Sequence, residues 1–235
     1  MKALILAAGR GERMRPLTDR TPKPLLPVRG KPLIEWHLEG LARAGVQEVV
    51  INTAWLEAQF PAALGDGRRW DLQIRYSTEG RDHGGALDIA GGVAKALPWL
   101  GEAFWVVSGD IFAPGFAFDP PAASAFEHSG LLAHLWLVDN PPYHPAGDFG
   151  IDAHGLAQRD TPDRLTWASI GLFRAALFDD IAPGTVAPLL PQLLRGIAQG
   201  RVSAERHRGL WENVGTPEQL EALDVGAEGS ASPTE

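Results

Sequence analysis

The chain has no cysteine among its 235 residues, which excludes disulfides, thiolate metal sites and a cysteine nucleophile and is compatible with a cytoplasmic home. No apolar run approaches the roughly 20 residues that span a bilayer, so no membrane association is expected. The N-terminus reads as a core strand and carries no signal-peptide cleavage pattern. Positive charge is also short: 21 Lys and Arg against 29 Asp and Glu leave a formal charge of −8, which argues against general nucleic-acid binding. The seven histidines are scattered with no convincing ligand spacing. No internal repeat is visible. The 45% apolar content is ordinary for a globular protein with a sizeable core.

What stands out against this acidic background is the first thirty residues. The apolar run Leu4-Ile5-Leu6-Ala7-Ala8 breaks at Gly9 into Gly9-Arg10-Gly11-Glu12-Arg13-Met14-Arg15-Pro16. Such a loop is small where a ligand approaches backbone and cationic where it meets phosphate. Its N–H groups can form an anion-binding concavity, and arginine adds bidentate hydrogen bonds. It is neither of the two familiar phosphate loops. A dinucleotide fingerprint needs a third glycine where this chain has Met14, and a P-loop needs Gly-Lys followed by Ser or Thr. Behind the loop, Lys23 stands between Pro22 and Pro24, an ammonium on stiff backbone. Adjacent loop side chains cannot all face one ligand, so Arg10 and Arg15 are weaker candidates than Arg13, and Arg15 is as easily structural.

Further along, Lys31 to Ala42 has helical spacing with Pro32 in its first turn and Gly45 as a stop, and Val46 to Asn52 reads as a buried strand. Trp55 to Leu64 and Ala86 to Leu97 read as helices; Leu72 to Ser77 and Phe104 to Ser108 read as strands. This is a doubly wound α/β pattern, in which ligands lie at the carboxyl ends of parallel strands. Gly9, Glu79-Gly80 and Ser108-Gly109-Asp110 all fall at such ends. In the second half, Leu131 to Asp139 and Trp167 to Phe173 are candidate strands and Pro188 to Gln199 a helix. The expected organisation is one domain over residues 1–223, with halves of about 1–112 and 113–223, and a disordered tail over 224–235.

The run Leu6-Ala7-Ala8-Gly9-x-Gly11-x-Arg13-Met14-x-Pro16-Leu17-Thr18, followed by Pro22-Lys23-Pro24-Leu25, resembles the signature of the sugar-1-phosphate nucleotidyltransferases. The resemblance implies a Rossmann-like, GT-A-type fold with a mixed, mainly parallel sheet. It also implies that Ala8, Gly9, Gly11, Glu12 and Arg13 hold a nucleoside triphosphate and that Lys23 reaches its phosphates. The family's metal-binding aspartate falls on Asp110, and Mg²⁺ suits a site built from one or two carboxylates and phosphate oxygens. Ser108 either hydrogen-bonds ligand, orients that carboxylate, or is a turn hydroxyl. A second metal motif is matched by Trp211-Glu212-Asn213-Val214-Gly215-Thr216-Pro217, with Asn213 where the family commonly has aspartate. An amide oxygen coordinates without charge and should hold Mg²⁺ more weakly. Thr216-Pro217-Glu218 also reads as a helix start.

Catalysis is then expected from positioning and charge, with Arg13, Lys23 and Asp110 as the residues that act. The family's base-reading loop matches Leu87-Asp88-Ile89-Ala90-Gly91-Gly92, which lacks the usual threonine and is preceded by a longer loop. Gly80 is a second place where the base could come close. Asp148 in Gly147-Asp148-Phe149 matches a position facing sugar hydroxyls, or is a solvated turn aspartate.

Gly11 to Thr18, Val50-Ile51-Asn52-x-Ala54-Trp55-Leu56, Lys95-Ala96-Leu97-Pro98 and Val138-Asp139-Asn140-Pro141 resemble one branch, the N-acetylmuramate-1-phosphate uridylyltransferases of cell-wall recycling. The expected partners are UTP and a sugar-1-phosphate, and the expected state is a monomer or small homo-oligomer. A mannose-1-phosphate guanylyltransferase-like enzyme is the nearest alternative. A nucleotide-sugar binding module without turnover is the alternative from another class, favoured by Asn213 and the altered Leu87 to Gly92 loop.

Overall fold

Runs of β-branched and aromatic residues bounded by glycine and proline form the strands, and the longer amphipathic segments form the helices that cover them. The computed structural model describes residues 1–225. The first part comprises β1 (Lys2–Ala7), β2 (Pro27–Val28), β3 (Lys31–Pro32), α1 (Leu33–Arg43), β4 (Glu48–Thr53) and α2 (Gln59–Leu64). Next come β5 (Gln73–Thr78), α3 (Glu79–His83), α4 (Asp88–Leu100), β6 (Ala103–Ser108) and β7 (Ile111–Phe112). They are followed by α5 (Pro120–His128), β8 (Ala133–Val138), β9 (Gly150–Ile151), β10 (Ala157–Gln158) and β11 (Thr166–Arg174). The last elements are α6 (Leu190–Ala198), β12 (Val202–Arg206), β13 (Glu212–Asn213) and α7 (Pro217–Val225).

Seven strands make one sheet in the order β12-β8-β11-β6-β1-β4-β5. All pairings are parallel except those of β11, which runs antiparallel to both β6 and β8. The sheet is therefore the mixed, mainly parallel one expected. One face packs against α1, α2 and α5 around Trp105, which stacks on Trp136 at 5.1 Å and meets Phe118 edge-on at 5.2 Å. The other face packs against α4 and α6 around Phe104, Phe173 and Phe178. A third, smaller core joins Met14, Leu26, Val28, Leu33, Phe112, Val214, Leu220 and Leu223, so α7 packs back on the first loop.

Four local expectations change. Pro32 caps α1 from outside, because Lys31 and Pro32 pair with β2 instead of entering the helix. The helix expected from Trp55 begins only at Gln59: Leu56 takes a left-handed φ of 49°, and the Trp55 indole N–H donates to Thr18 O at 2.8 Å. Ala90-Gly91-Gly92 lie inside α4 and are buried, so they are helix and not base-reading loop. Asp224 belongs to α7, its carboxylate accepting from Arg29 N at 2.5 Å, and not to a tail. The rest of the expected tail, 226–235, lies outside the described residues.

Candidate active site

Because β1 and β6 are parallel neighbours with Leu6 opposite Ser108, the loops that follow them leave the sheet at the same end. The first loop turns at Gly11, whose φ of +67° favours glycine. A Cβ there would stand 3.1 Å from Thr18 Cγ2 and 3.2 Å from Lys23 Cβ, so the absent side chain also lets the two segments close up. The Thr18 hydroxyl donates to Gly11 O at 2.9 Å, and the fully buried Met14 anchors the turn from below. The three arginines diverge. Arg10 lies over the Trp55 ring at 4.1 Å, and Arg15 pairs with Asp19 at 2.9 Å. Arg13 alone faces the cleft, its guanidinium against Gly215 from the other end of the chain.

Lys23 opens a 3₁₀ turn, Lys23–Leu25, and is only 6% exposed. Its ammonium donates to Asp110 Oδ2 at 2.8 Å, an ion pair joining the two strongest candidates of the sequence. Asp110 emerges after Gly109, whose N–H donates to Leu6 O at 2.8 Å. A side chain at Gly109 would press on that carbonyl at 3.1 Å. Immediately after Asp110, β7 pairs antiparallel with β13, so Asn213 stands opposite Ile111, and Val214 N donates to Asp110 O at 3.2 Å. Glu212 turns outward, while Asn213 Oδ1 is buried and accepts no hydrogen bond from the protein.

An orphaned amide oxygen beside a carboxylate is a donor set that fits Mg²⁺, which takes few protein ligands and completes its shell with phosphate oxygens and water. Among the described residues no group of three or more His, Cys, Asp or Glu is arranged to hold a metal. Asp110 and Asn213 are the residues that would hold such an ion. Below them His37 is 1% exposed and donates from Nε2 to Ile111 O at 2.9 Å; burial pushes its pKa down to about 4, so the ring is neutral.

The far end of the cleft rests on a buried network absent from the sequence reading. Asn52 Oδ1 accepts from Ala7 N at 2.7 Å, and its amide donates to Glu79 Oε1 at 2.8 Å. Glu79 Oε2 accepts from Leu87 N at 2.8 Å. Burial pushes the Glu79 pKa up, against the opposing pull of these hydrogen bonds and of Lys95. Gly92 makes room: a Cβ there would lie 2.6 Å from the Asn52 amide nitrogen and 2.7 Å from Glu79 Oε1. The network thus ties the end of β1 to the Leu87 turn across the cleft floor.

The cleft so formed encloses about 480 Å³. Ala8, Gly9, Gly11, Glu12, Arg13, Lys23, Ser108 and Asp110 line it, joined by Asp88 and Ile89 from the expected base-reading segment and by Asn52 and Ala86, which sequence reasoning did not single out. Gly80 is elsewhere. The space its side chain would take is filled by Ala54 O, 2.4 Å from an ideal Cβ, so close packing against the Trp55 turn explains the glycine. Asp148 also stands apart from the lining, accepting from Trp167 N at 2.9 Å while lying 3.1 Å from His144 Nε2. Tyr143 stands in the proline-rich loop before it and is exposed. Partial burial and the Glu212 charge raise its phenol pKa, while the Asn213 backbone and Arg13 pull the other way.

The family described as "Nucleotidyl transferase" matches residues 2–160. An N-acetylmuramate alpha-1-phosphate uridylyltransferase of Neisseria meningitidis is 50% identical over 224 residues, covering 92% of this chain and 94% of that one. The chain belongs to the nucleotidyl transferase family. An enzyme of the same name from Caulobacter vibrioides is 33% identical, covering 95% of each chain. A Bacillus anthracis protein assigned to the glucose-1-phosphate thymidylyltransferases, solved with sucrose, shares the fold at a TM-score of 0.81 and 20% identity, over 100% of this chain and 98% of that one. As a sugar-1-phosphate nucleotidyltransferase, the chain joins a nucleotidyl group to a sugar-1-phosphate. Among the described residues no helix is long and apolar enough to cross a membrane.

Proposed function

We propose that this enzyme transfers the uridylyl group of UTP to N-acetylmuramate-1-phosphate, with Mg²⁺, releasing pyrophosphate. The observation that carries the choice of substrates is the 50% identity to the Neisseria meningitidis uridylyltransferase over nearly the whole of both chains. The Lys23–Asp110 ion pair in the cleft and the orphaned Asn213 Oδ1 on the strand beside it support the chemistry. A phosphate oxygen of the sugar-1-phosphate attacks the α-phosphorus. That P–O bond forms as the bond from the α-phosphorus to the bridging oxygen breaks, and pyrophosphate departs with the electron pair.

No protein nucleophile is required, so the chain contributes position and charge. Backbone from Ala8 to Arg13 wraps the phosphates, Arg13 and Lys23 oppose their charge, and Ala86 and Asp88 face the base. Mg²⁺ held by Asp110 and Asn213 would supply a Lewis acid for the triphosphate. Asp148, outside the cleft lining, is the candidate contact from the second half to the sugar hydroxyls. The reading places the enzyme in the cytoplasm, in cell-wall recycling, as a monomer or small homo-oligomer.

The test is pyrophosphate release with Mg²⁺ across UTP, GTP, CTP, ATP and dTTP, each paired with a panel of sugar-1-phosphates. Turnover is expected with UTP and N-acetylmuramate-1-phosphate. Preference for GTP with mannose-1-phosphate would overturn the specificity, and nucleotide binding without turnover anywhere would overturn the chemistry.

A further inference from the structure

The two candidate metal donors stand on very little backbone: Asp110 lines the cleft, and Asn213 is buried on the strand beside it. β7 and β13 are two residues each and pair only with one another, so no wider sheet holds them in place. Both donors flank a single residue: Asp110 is the chain neighbour of Ile111, and Asn213 is its cross-strand partner. Together with the Val214 N–H that donates to Asp110 O at 3.2 Å, Ile111 therefore shares in setting the separation between the two. Its carbonyl is received by His37 Nε2 at 2.9 Å, from inside α1. A carbonyl only accepts, so Nε2 carries the proton, and the ring donates a bond that a leucine could not. The neighbouring contacts on this strand pair are apolar or diffuse: Trp36 meets Phe112 edge-on at 5.2 Å, and the Arg29 guanidinium lies 5.1 Å from the same ring. They hold the Phe112 side chain, so besides the ladder to β13 and the burial of the Ile111 side chain, the His37 bond is the polar contact made to the Ile111 carbonyl.

We propose that His37 is a positioning residue for the metal site, acting through the Ile111 carbonyl to hold Asp110 and Asn213 at one fixed separation. The inference rests on the metal reading above. It uses no titration, because the donor is present in the neutral ring. Partners that orient metal ligands from behind are worth roughly 10–100-fold in metal affinity or activity when removed. His37 touches neither substrate nor ion, so its removal should weaken metal binding while sparing nucleotide binding.

The experiment uses Mn²⁺ as a paramagnetic probe, titrated by EPR into the whole enzyme with a non-hydrolysable UTP analogue. His37→Leu and His37→Met remove the donor and keep bulk; His37→Gln restores an N–H. The expected result is Mn²⁺ affinity about 10-fold weaker in the Leu and Met variants. Affinity for the analogue without metal should stay unchanged, and the Gln variant should return toward wild type. Steady-state kinetics should agree, with a raised KM for Mg²⁺ and an unchanged KM for UTP at saturating metal. Wild-type Mn²⁺ affinity in the Leu variant, or no rescue by Gln, overturns the inference. So does failure of both apolar variants to fold, because the role is then structural. Wild-type enzyme that binds no Mn²⁺ with the analogue overturns instead the metal reading beneath it, and His37 with it.

Discussion

Glu79→Gln separates two opposing effects in the buried network. The Glu79 side chain is fully buried, and burial raises its pKa, so on desolvation alone an isosteric neutral side chain should stabilise the fold. The hydrogen bonds argue the other way. Both carboxylate oxygens accept, one from the Asn52 amide at 2.8 Å and one from Leu87 N at 2.8 Å, and both partners can only donate there. Glutamine offers one acceptor. Whichever way it is turned, an NH₂ faces a donor, and Gly92 packs closely on the pair, since a Cβ there would stand 2.6 Å from the Asn52 amide nitrogen and 2.7 Å from Glu79 Oε1.

Leaving a buried donor unsatisfied costs about 1–3 kcal/mol, and a charged acceptor puts the loss toward the upper end. For a protein of this size each kcal/mol moves Tm by roughly 2–4 °C, so the melting temperature should fall by about 4–10 °C. The Leu87 turn carries Ala86 and Asp88 to the cleft, so nucleotide affinity should weaken several-fold with it. Scanning calorimetry at neutral pH and calorimetric titration with UTP measure the two. An unchanged or raised Tm would refute the reasoning, since it would mean that relief of the buried charge outweighs the lost acceptor.

Lys23→Met keeps the buried stem and removes the charge. Turnover should drop about 10²–10³-fold with little change in Tm, as for the loss of one transition-state donor. Asp110→Ala should cut turnover similarly but also lower Tm, because it strands an ammonium whose residue is 6% exposed, whereas the Asp110 side chain is 35% exposed and keeps water without its lysine; equal Tm losses in both variants would contradict this asymmetry. Asn213→Asp adds a charge to the metal donor set, so Mn²⁺ should bind more tightly by EPR, and an unaltered affinity would remove Asn213 from that set. Stability of the metal-free protein should fall with pH between 6.5 and about 4, the folded pKa of His37. In that window the unfolded chain takes up a proton that the folded one refuses, at about 1.4 kcal/mol per pH unit. Urea melts of His37→Gln should lose that part of the slope, leaving the shallower share of His134 and His207, which burial also depresses.

The parallel strands were legible because a strand buried on both faces is a continuous apolar run, as in Ala103 to Val107. The first loop was legible because its glycines and Lys23 lie close together in sequence. What escaped has no local signal. Two-residue strands such as β7 and β13 carry no periodicity, yet they bring Asn213 to Asp110. Gly91 and Gly92 look like loop residues, and their reason is tertiary: a Cβ on Gly91 would fall 2.1 Å from Thr185 O, and one on Gly92 would strike the Asn52–Glu79 bridge. His37 was one of seven scattered histidines, and its use depends on a carbonyl 74 positions away. Asn52 and Glu79 read as strand-end residues until the sheet sets them beside Ala7 and Leu87.

These long-range dependences fix where the working unit ends. The family match stops at residue 160, and the nucleotide loop, Lys23 and Asp110 all lie within it. The site is not complete there. β11 inserts between β6 and β8 in the middle of the sheet, so the edge of β6 would be bare without residues 166–174. Asn213 faces Ile111 from β13, Gly215 admits the Arg13 guanidinium, and Leu220 and Leu223 of α7 pack with Met14 beneath the first loop. The N-terminal loop of the candidate site is thus packed and flanked by residues from the second half of the chain. The acid–amide pair at the candidate metal position follows from that packing. Of the two candidate donors, Asp110 lies in the turn between β6 and β7, and Asn213 lies on the short return strand opposite Ile111.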